Sequence, residues 1–406
     1  MAGRKRYTTA ARTVFRAGKD DWMRILHTSD WHFGKVAPVI GTYEEDQHCF
    51  LTGLQGIIEE ERIDAVLCAG DVYDSARVAG DAIRLYTDAA TMICIEERKP
   101  FVVIAGNHDS ADRLASCDEL LEKAGLFVRG RLGDSLSPIL LDEGRVAVYA
   151  IPFFQPGEAA AVFSDPGIRT MSDAVRAVLD HIRASWDETR CNILMAHLSV
   201  SGAELSESDR TAINTCEEDG HVIGGSSSVN PSLFSGFDYV ALGHIHKPQR
   251  LSEIVCYSGS PVMYSFGREE KQTKGVWIFD TETRELSFHE IKKLHERKTL
   301  ACTYADAMAL DNLKDVYLRL TVTDRLLSPE LQSALSARFP LLLELAGKQP
   351  AESGSRTSLS SADLKALSPR QILSSFMNDL YEEELADDLA SLFLSALEQA
   401  EKEGAQ

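Results

Sequence analysis

Long apolar runs are missing from this chain of 406 residues: none approaches the ~20 residues that a membrane-crossing helix needs. The N-terminal stretch "MAGRKRYTTAARTVFRAGKDDW" is basic but lacks the apolar segment of a secretory signal. Residues 1–22 therefore read as a tail ahead of the first strand-like run, and a cytoplasmic location is expected. Cationic charge is also short, with 42 Lys and Arg against 62 Asp and Glu and a net charge of −20. That balance excludes a generic basic coat for nucleic acid, although not a nuclease that grips phosphate through metal ions and a local groove. None of the eight cysteines forms a C-x-x-C pair, and several sit in apolar runs, such as Cys68 in "AVLCAG" and Cys191 in "CNILMAH". They read as small buried hydrophobes in a reducing compartment, not as disulfides or a zinc site. No G-x-x-x-x-G-K-[ST] occurs, which excludes ATP binding through a P-loop. An ATP-dependent activity would need a separate subunit.

What is present is an ordinary soluble globular composition, 44% hydrophobic and 26% charged, long enough for two or three domains. From 23 to 290, short β-rich runs alternate with helical patterns. The runs are "RILHTSD" (24–30), "DAVLCAGD" (64–71), "PFVVIAGNHD" (100–109), "VAVYAIPF" (146–153), "NILMAHLS" (192–199), "DYVALGHIH" (238–246) and "GVWIFD" (275–280). Helices are predicted around 43–61, 80–97, 114–124 and 171–186. Continuous apolar strands separated by helices imply an α/β fold, a layered α/β/α sandwich. The pattern then changes over 291–348, where "DVYLRLTV" places Val316, Leu318, Leu320 and Val322 on one face of a strand with a helix after it, a small α+β domain. Residues 349–361, "QPAESGSRTSLSS", form a polar Ser-rich linker. The acidic segment 362–406 carries Ile372, Leu373, Phe376 and Leu380, then Leu385, Leu389, Leu392, Phe393 and Leu397, at helical spacing. Amphipathic helices that dock on a partner are expected there.

Chemistry concentrates where the strands run out. The first three runs end in "SDWH", "GDVYD" and "GNHD", the fifth in "AHLS" and the sixth in "GHIH". Ligands of open α/β sheets bind at the C-terminal ends of strands, where glycines let the backbone approach closely. Asp30, His32, Asp71, Asn107, His197, His244 and His246 offer seven oxygen and nitrogen donors without a thiolate. Such a mixed set suits Mn²⁺, Fe²⁺ or Zn²⁺. Seven donors exceed what one ion uses beside substrate and water, and they suit two ions if one carboxylate bridges.

The order D-x-H, G-D-x-x-D, G-N-H-D, H, G-H-x-H resembles the calcineurin-like metallophosphoesterase superfamily. Within it, "RILHTSDWHFGK", "AGDVYDS", "IAGNHDS", "DYVALGHIHKPQ" and "YSGSPVMYSFG" are similar to the SbcD family of bacterial exonuclease subunits, over about residues 23–290. The resemblance implies a nuclease domain, a capping or DNA-recognition domain over 291–348, and C-terminal helices for an SbcC-like ATPase. It implies double-strand exonuclease and single-strand endonuclease activity on DNA, in replication, repair and recombination. A homodimer of nuclease subunits within a heterotetramer comes with it. It implies two divalent ions, Mn²⁺ by preference: one held by Asp30, His32 and His246, the other by Asn107, His197 and His244, with Asp71 between them. His108 would contact the scissile phosphate and stabilise or protonate the leaving oxygen. Asp74 matches the position whose carboxylate orients that histidine; the alternative is an exposed turn carboxylate. A small-molecule phosphodiesterase or phosphatase of the same fold, and a catalytically silent scaffold, are the competing functions.

Other residues attract simpler expectations. His27 reads as a satisfied core histidine and His48 as a surface or packing residue. Arg268, Lys271 and Lys274 in "FGREEKQTKG" either touch DNA phosphate or are simply solvated.

Overall fold

The computed structural model describes residues 22–205, 209, 228–348, 368–371, 373–374, 390–391 and 393. The N-terminal tail but for Trp22, the Ser-rich linker and nearly all of the expected C-terminal helices lie outside the described residues. Two units divide at Lys348 and Gln349, and the first carries everything below.

Twelve strands of this unit build two sheets. They are β1 (Arg24–Thr28), β2 (Ala65–Cys68), β3 (Phe101–Ile104), β4 (Leu126–Arg129), β5 (Ile139–Leu141), β6 (Val146–Ile151), β7 (Cys191–His197), β8 (Tyr239–Gly243), β9 (Gln249–Arg250), β10 (Val255–Tyr257), β11 (Gly275–Asp280) and β12 (Leu286–Glu290). The first sheet runs β12-β11-β1-β2-β3-β4 and the second β9-β10-β8-β7-β6-β5. Strands β1 to β4 are mutually parallel, as are β6, β7, β8 and β10, while β5, β9, β11 and β12 pair antiparallel.

The sheets stack face to face, so the β layer of the α/β/α sandwich is double. Alternation within single strands records this. Ala65 and Leu67 of β2 pack with Ile193, Met195 and Tyr239 of the second sheet, whereas Val66 and Cys68 pack outward with Phe50 and Leu54. Those last two belong to α1 (Glu44–Glu60), and α2 (Gly80–Thr91) adds Leu85 and Ala89 to the same core. The opposite outer face is covered by α3 (Pro156–Phe163) and α4 (Met171–Ala184). A capping box fixes the start of α4, with Thr170 and Asp173 exchanging side-chain-to-backbone bonds. Val175, Val178, Leu179 and Ile182 recur along its buried side. Every central strand is therefore buried on both faces, which is why the strands read as unbroken apolar runs.

Two expected helices differ. The stretch 80–97 ends as an α-helix at Thr91 and continues as a widened turn over Met92–Glu96. The stretch 114–124 breaks into short turns, because Cys117 takes φ 64°, outside the helical region. Strands β4, β5, β9, β10 and β12 and helix α3 are additions.

The small domain is a parallel sheet of β13 (Glu296–Cys302), β14 (Val316–Val322) and β15 (Leu342–Ala346), with helices α5 (Tyr304–Ala309) and α6 (Pro329–Arg338). Leu318, Leu320 and Val322 form its own core with Leu331, Leu335 and Phe339. Tyr317 and Leu343 instead join the outer core of the first sheet. Arg297, 3% exposed, donates from Nε to the Met263 carbonyl at 2.9 Å and lies over the rings of Tyr43, Phe266 and Tyr317. This buried stack ties the small domain to the sandwich.

Among the described residues no helix is long and apolar enough to cross a membrane. Cys49, Cys68, Cys94, Cys117, Cys191, Cys256 and Cys302 are free thiols, and Cys216 lies outside the described residues.

Candidate metal centre

Parallel strands deliver their C-terminal ends to one edge, and the loops after β1, β2 and β3 meet β7 and the loop after β8 there. Backbone bonds lock the first two loops together, Asp30 N–H to Gly70 O at 2.9 Å and His32 N–H to Asp71 O at 3.0 Å. Four of the seven candidate donors sit on left-handed backbone: Asp30 (φ 52°), His32 (φ 47°), Asp71 (φ 51°) and His244 (φ 95°). Asp and His tolerate that region better than β-branched residues, and such strain collects where surrounding structure holds a side chain for a task. Two glycines permit the close approach. A Cβ on Gly243 would lie 1.9 Å from Ala69 O, and one on Gly106 2.1 Å from Asp71 Oδ1. Neither position admits a larger residue without moving the site.

The seven side chains converge. His32 Nε2 lies 3.0 Å from His246 Nε2 and 3.7 Å from Asp71 Oδ2. His197 Nε2 lies 3.4 Å from Asp71 Oδ2 and 3.0 Å from Asn107 Oδ1, and His244 Nδ1 reaches the same Asn107 oxygen at 2.9 Å. Asp30 accepts the His244 N–H, at 3.0 Å to one oxygen and 3.2 Å to the other. Three overlapping groups offer donor atoms within 4.8 Å of one another: Asp30, His32 and His246; His32, Asp71 and His108; Asp30, Asp71 and His197.

Charge follows from this crowding. Burial opposes ionisation of Asp71, yet His197, then His32 and His108, hold its carboxyl well below the usual carboxylate range. Burial opposes protonation of His197 as well, but Asp71 and then Asp30 raise it to about 9. His244, buried and beside His197, is pushed down to about 3. His32 is also lowered, chiefly by burial.

The donor set fits divalent cations on this chain's own geometry. Two imidazole nitrogens facing each other at 3.0 Å can share one proton at most, whereas a cation accepts lone pairs from both. His246 Nδ1 is buried without a hydrogen-bond partner. Oxygen atoms stand behind two of the other rings, where metal-binding imidazoles generally find their second partner. His197 Nδ1 donates to Ala69 O at 2.8 Å, and His32 Nδ1 lies 3.2 Å from Asp74 Oδ1.

His108 stands at the open side of the cluster, half-buried, its ring centroid 4.9 Å from that of His32. Its backbone N–H donates to Asp71 Oδ1 at 2.9 Å, and its Nδ1 donates to the backbone carbonyl of Asp74 at 2.8 Å. With Nδ1 engaged there, Nε2 is the ring nitrogen that remains for a ligand. Asp74 thus differs from its expected geometry: its main chain orients His108, while its carboxylate lies beside His32 and accepts from Lys35 Nζ at 2.6 Å. The compactness of the G-D-x-x-D turn places the carbonyl, not the side chain, against the ring. Burial opposes ionisation of Asp74, but His32 and Lys35 hold its carboxyl far below the ordinary range.

Sequence reasoning missed the residues that fix the loops. Asp109 accepts backbone N–H groups of Val72 at 3.2 Å, Tyr73 at 2.9 Å and Gly106 at 2.9 Å, pinning the second and third loops together. Burial and then the Asp71 charge raise its carboxyl to about 6. Gln47 donates to His32 O at 2.9 Å and to Tyr264 Oη at 3.1 Å. Tyr264 Oη in turn donates to Trp31 O at 2.5 Å. His246 is held at its N–H by Asp209 at 3.1 Å and at its carbonyl by Lys274 Nζ at 2.9 Å. Lys274 is a correction: it is neither solvated nor turned toward phosphate. It is fully buried and paired with fully buried Glu269 at 2.5 Å. Only Asp109 left a local signal, an Asp closing a tight Gly-Asn-His turn.

His27, at 0% exposure, bonds the Tyr239 hydroxyl through Nδ1 at 2.7 Å. His48 is exposed on α1, 3.8 Å from Glu44.

The calcineurin-like phosphoesterase family matches residues 23–248. Two curated relatives, each the SbcD component of an SbcCD nuclease, are 34% identical. The one from Staphylococcus saprophyticus aligns over 289 residues, 70% of this chain and 73% of its own. The one from Staphylococcus epidermidis aligns over 288 residues, 70% of this chain and 74% of its own. A solved structure, TT1561 of Thermus thermophilus, shares 14% identity at a TM-score of 0.33, covering 67% of this chain and all of its own.

Proposed function

Because the chain belongs to the calcineurin-like phosphoesterase family and is a metal-dependent phosphodiester hydrolase, we propose that it is a two-metal DNA nuclease of the SbcD type, working with an SbcC-like ATPase. One observation carries this reading. Seven oxygen and nitrogen donors from five loops and strand ends, drawn from both sheets, meet in a buried cluster with a half-buried histidine at its open side.

In this proposal Asp30, His32 and His246 hold one ion and Asn107, His197 and His244 the other, with Asp71 shared. Mn²⁺ is the ion the family resemblance favours. When bound, a pair of divalent ions supplies a lowered water pKa and positive charge against the phosphoryl oxygens. The chain's own residues do the rest. Asp109 and the His32–Asp71 backbone bond keep the donors in place before substrate arrives, so little reorganisation is needed. His108, held by the Asp74 carbonyl in the tautomer with a proton on Nδ1, turns Nε2 toward the scissile phosphate. Protonated there, it donates to the leaving oxygen. The small domain over 291–348 serves as the cap on DNA, and the segment 362–406 as the ATPase-docking element.

The test is degradation of end-labelled duplex DNA in Mn²⁺, with and without the ATPase partner, with His108→Ala as control. Degradation by the wild type and loss in the variant support the proposal. Hydrolysis of small diesters with no action on DNA would contradict it, and so would inertness on both.

A further inference from the structure

A cleft of about 1120 Å³, whose lining begins one residue past His246 and includes none of the seven donors, is used by no step of the hydrolysis described above. Its wall begins at Lys247, the residue after His246, and continues through Arg250, Arg268 and Lys271. Glu204 is the one acidic side chain among the described residues that line it, and it is already paired with Lys247. Arg250 is held by the carbonyls of Ser252 at 2.9 Å and Glu253 at 2.7 Å, and Arg268 by that of Leu205 at 3.5 Å. Carbonyl partners orient these guanidinium groups without cancelling their charge, and the one carboxylate that acts on Arg268, Glu204, is shared with Lys247. On a chain of net charge −20, such a wall is a local inversion of sign that favours a polyanion.

Aromatic rings complete the cleft. Trp277 and Phe288 sit directly opposite each other on β11 and β12, their centroids 5.0 Å apart. Both are half-buried, and both line the cleft. The indole N–H of Trp277 donates to Tyr257 O at 3.0 Å, so its ring is fixed before any ligand arrives. Fixed rings beside a line of cations are the recurring device for unpaired nucleic acid, where bases stack and phosphates are neutralised. A duplex hides its base faces and would use only the cations.

We propose that this cleft holds an unpaired DNA strand, running from the metal centre at His246 across Lys247 to the Arg268–Lys271 wall, with bases stacked on Trp277 and Phe288. The proposal rests on the nuclease reading for its substrate class, but its test does not depend on cleavage. Binding of labelled oligothymidylate to the full chain is measured in EDTA by fluorescence anisotropy across a range of salt. The double variant Arg268→Glu/Lys271→Glu should bind about tenfold more weakly or worse, and the slope of log K against log salt should shrink by about one to two. Phe288→Ala should weaken oligothymidylate binding several-fold while leaving duplex binding unchanged. Melting temperatures close to that of the wild type confirm that each variant folds. Unchanged oligothymidylate affinity and salt slope in the charge-reversed protein would overturn the proposal. Equal losses for duplex and single strand in Phe288→Ala would also overturn it. A wild type that binds oligothymidylate in EDTA yet degrades no DNA in Mn²⁺ would sink the nuclease reading and leave the cleft standing.

Discussion

Two buried charged clusters meet at His246, and they differ in whether their members satisfy one another. Behind the histidine, Glu269 and Lys274 form a closed set. Lys274 Nζ reaches Glu269, Ser260 Oγ at 3.0 Å and the His246 carbonyl, while Glu269 Oε2 takes the Ser265 N–H at 2.7 Å and the Ser265 hydroxyl at 2.5 Å. In front of it, the donor cluster is open. Two imidazole nitrogens face each other, one ring nitrogen of His246 lacks a partner, and two carboxylates lie among four imidazoles. Asp30, His32, Asp71 and His197 are buried as deeply as Glu269 and Lys274, so burial alone does not distinguish a structural charge from a functional one. Closure does: a set that satisfies itself supports the fold, and one short of positive charge awaits a ligand.

Breaking the open cluster should cost chemistry and spare the fold. Asp71→Asn is expected to lower phosphodiester hydrolysis by about 10³-fold or more, since the ions account for several kcal/mol of transition-state stabilisation. The metal-free melting temperature should fall less than on breaking the closed cluster: the Asp71–His197 pairing is lost, but His197, raised to about 9 chiefly by Asp71 and then Asp30, can shed its proton, so no unpaired charge stays buried. Thermal melts in EDTA beside diester assays in Mn²⁺ check both halves. His108→Ala comes next, losing roughly 10²–10⁴-fold in kcat. Its Mn²⁺ affinity by calorimetry should stay within a few-fold of wild type, because the proposal assigns His108 to substrate and to neither ion.

Breaking the closed cluster should do the reverse. Lys274→Met strands a buried carboxylate and is expected to cost about 3–5 kcal/mol of unfolding free energy, read by urea melts. The double variant Lys274→Met/Glu269→Leu should recover most of that loss, since well-packed apolar residues replace a buried pair at little cost. Saturating Mn²⁺ gives a smaller effect in the opposite sense, adding about 2.7 kcal/mol of stability at a hundred times Kd. That gain should vanish in Asp71→Asn.

The smallest expected effect is on pH dependence. Burial lowers His27 to about 3, so between pH 6.5 and 3 the unfolded chain takes up a proton that the folded chain refuses. Stability present above pH 6.5 is therefore lost as pH falls through that window, by at most about 1.4 kcal/mol per pH unit. Glu269, lowered to about 2 because Lys274 outweighs its burial, contributes a second loss in the same direction below pH 4.5. Melting curves of His27→Gln should show a shallower slope from pH 6.5 to 5 than those of the wild type.

The same contrast explains what the sequence disclosed. Donor residues sit in short polar clusters at the ends of apolar runs, so local spacing marks each of them and their common strand polarity predicts convergence. All seven runs named from sequence contain or overlap a strand of the two sheets. Residues that support a donor from behind leave no such mark, because the groups they serve lie far along the chain. Gln47 serves His32 and Tyr264, and Lys274 serves His246 across 28 positions. Lys274 looks solvated beside Arg268 and Lys271, and only the fold turns it inward. The doubled β layer was hidden for a similar reason: a strand covered by a sheet and one covered by a helix carry the same apolar run. Asp74 shows a limit of motif matching, since its position was legible but the atom it offers His108 was not.

Anomalous diffraction from a crystal of the protein equilibrated with Mn²⁺ tests the central claim most directly. The account predicts two peaks, one shared by Asp30, His32 and His246 and one by Asn107, His197 and His244, with Asp71 reaching both. A single peak would reduce the centre to one ion. No peak at these residues, under conditions in which the protein hydrolyses a phosphodiester, would contradict the account.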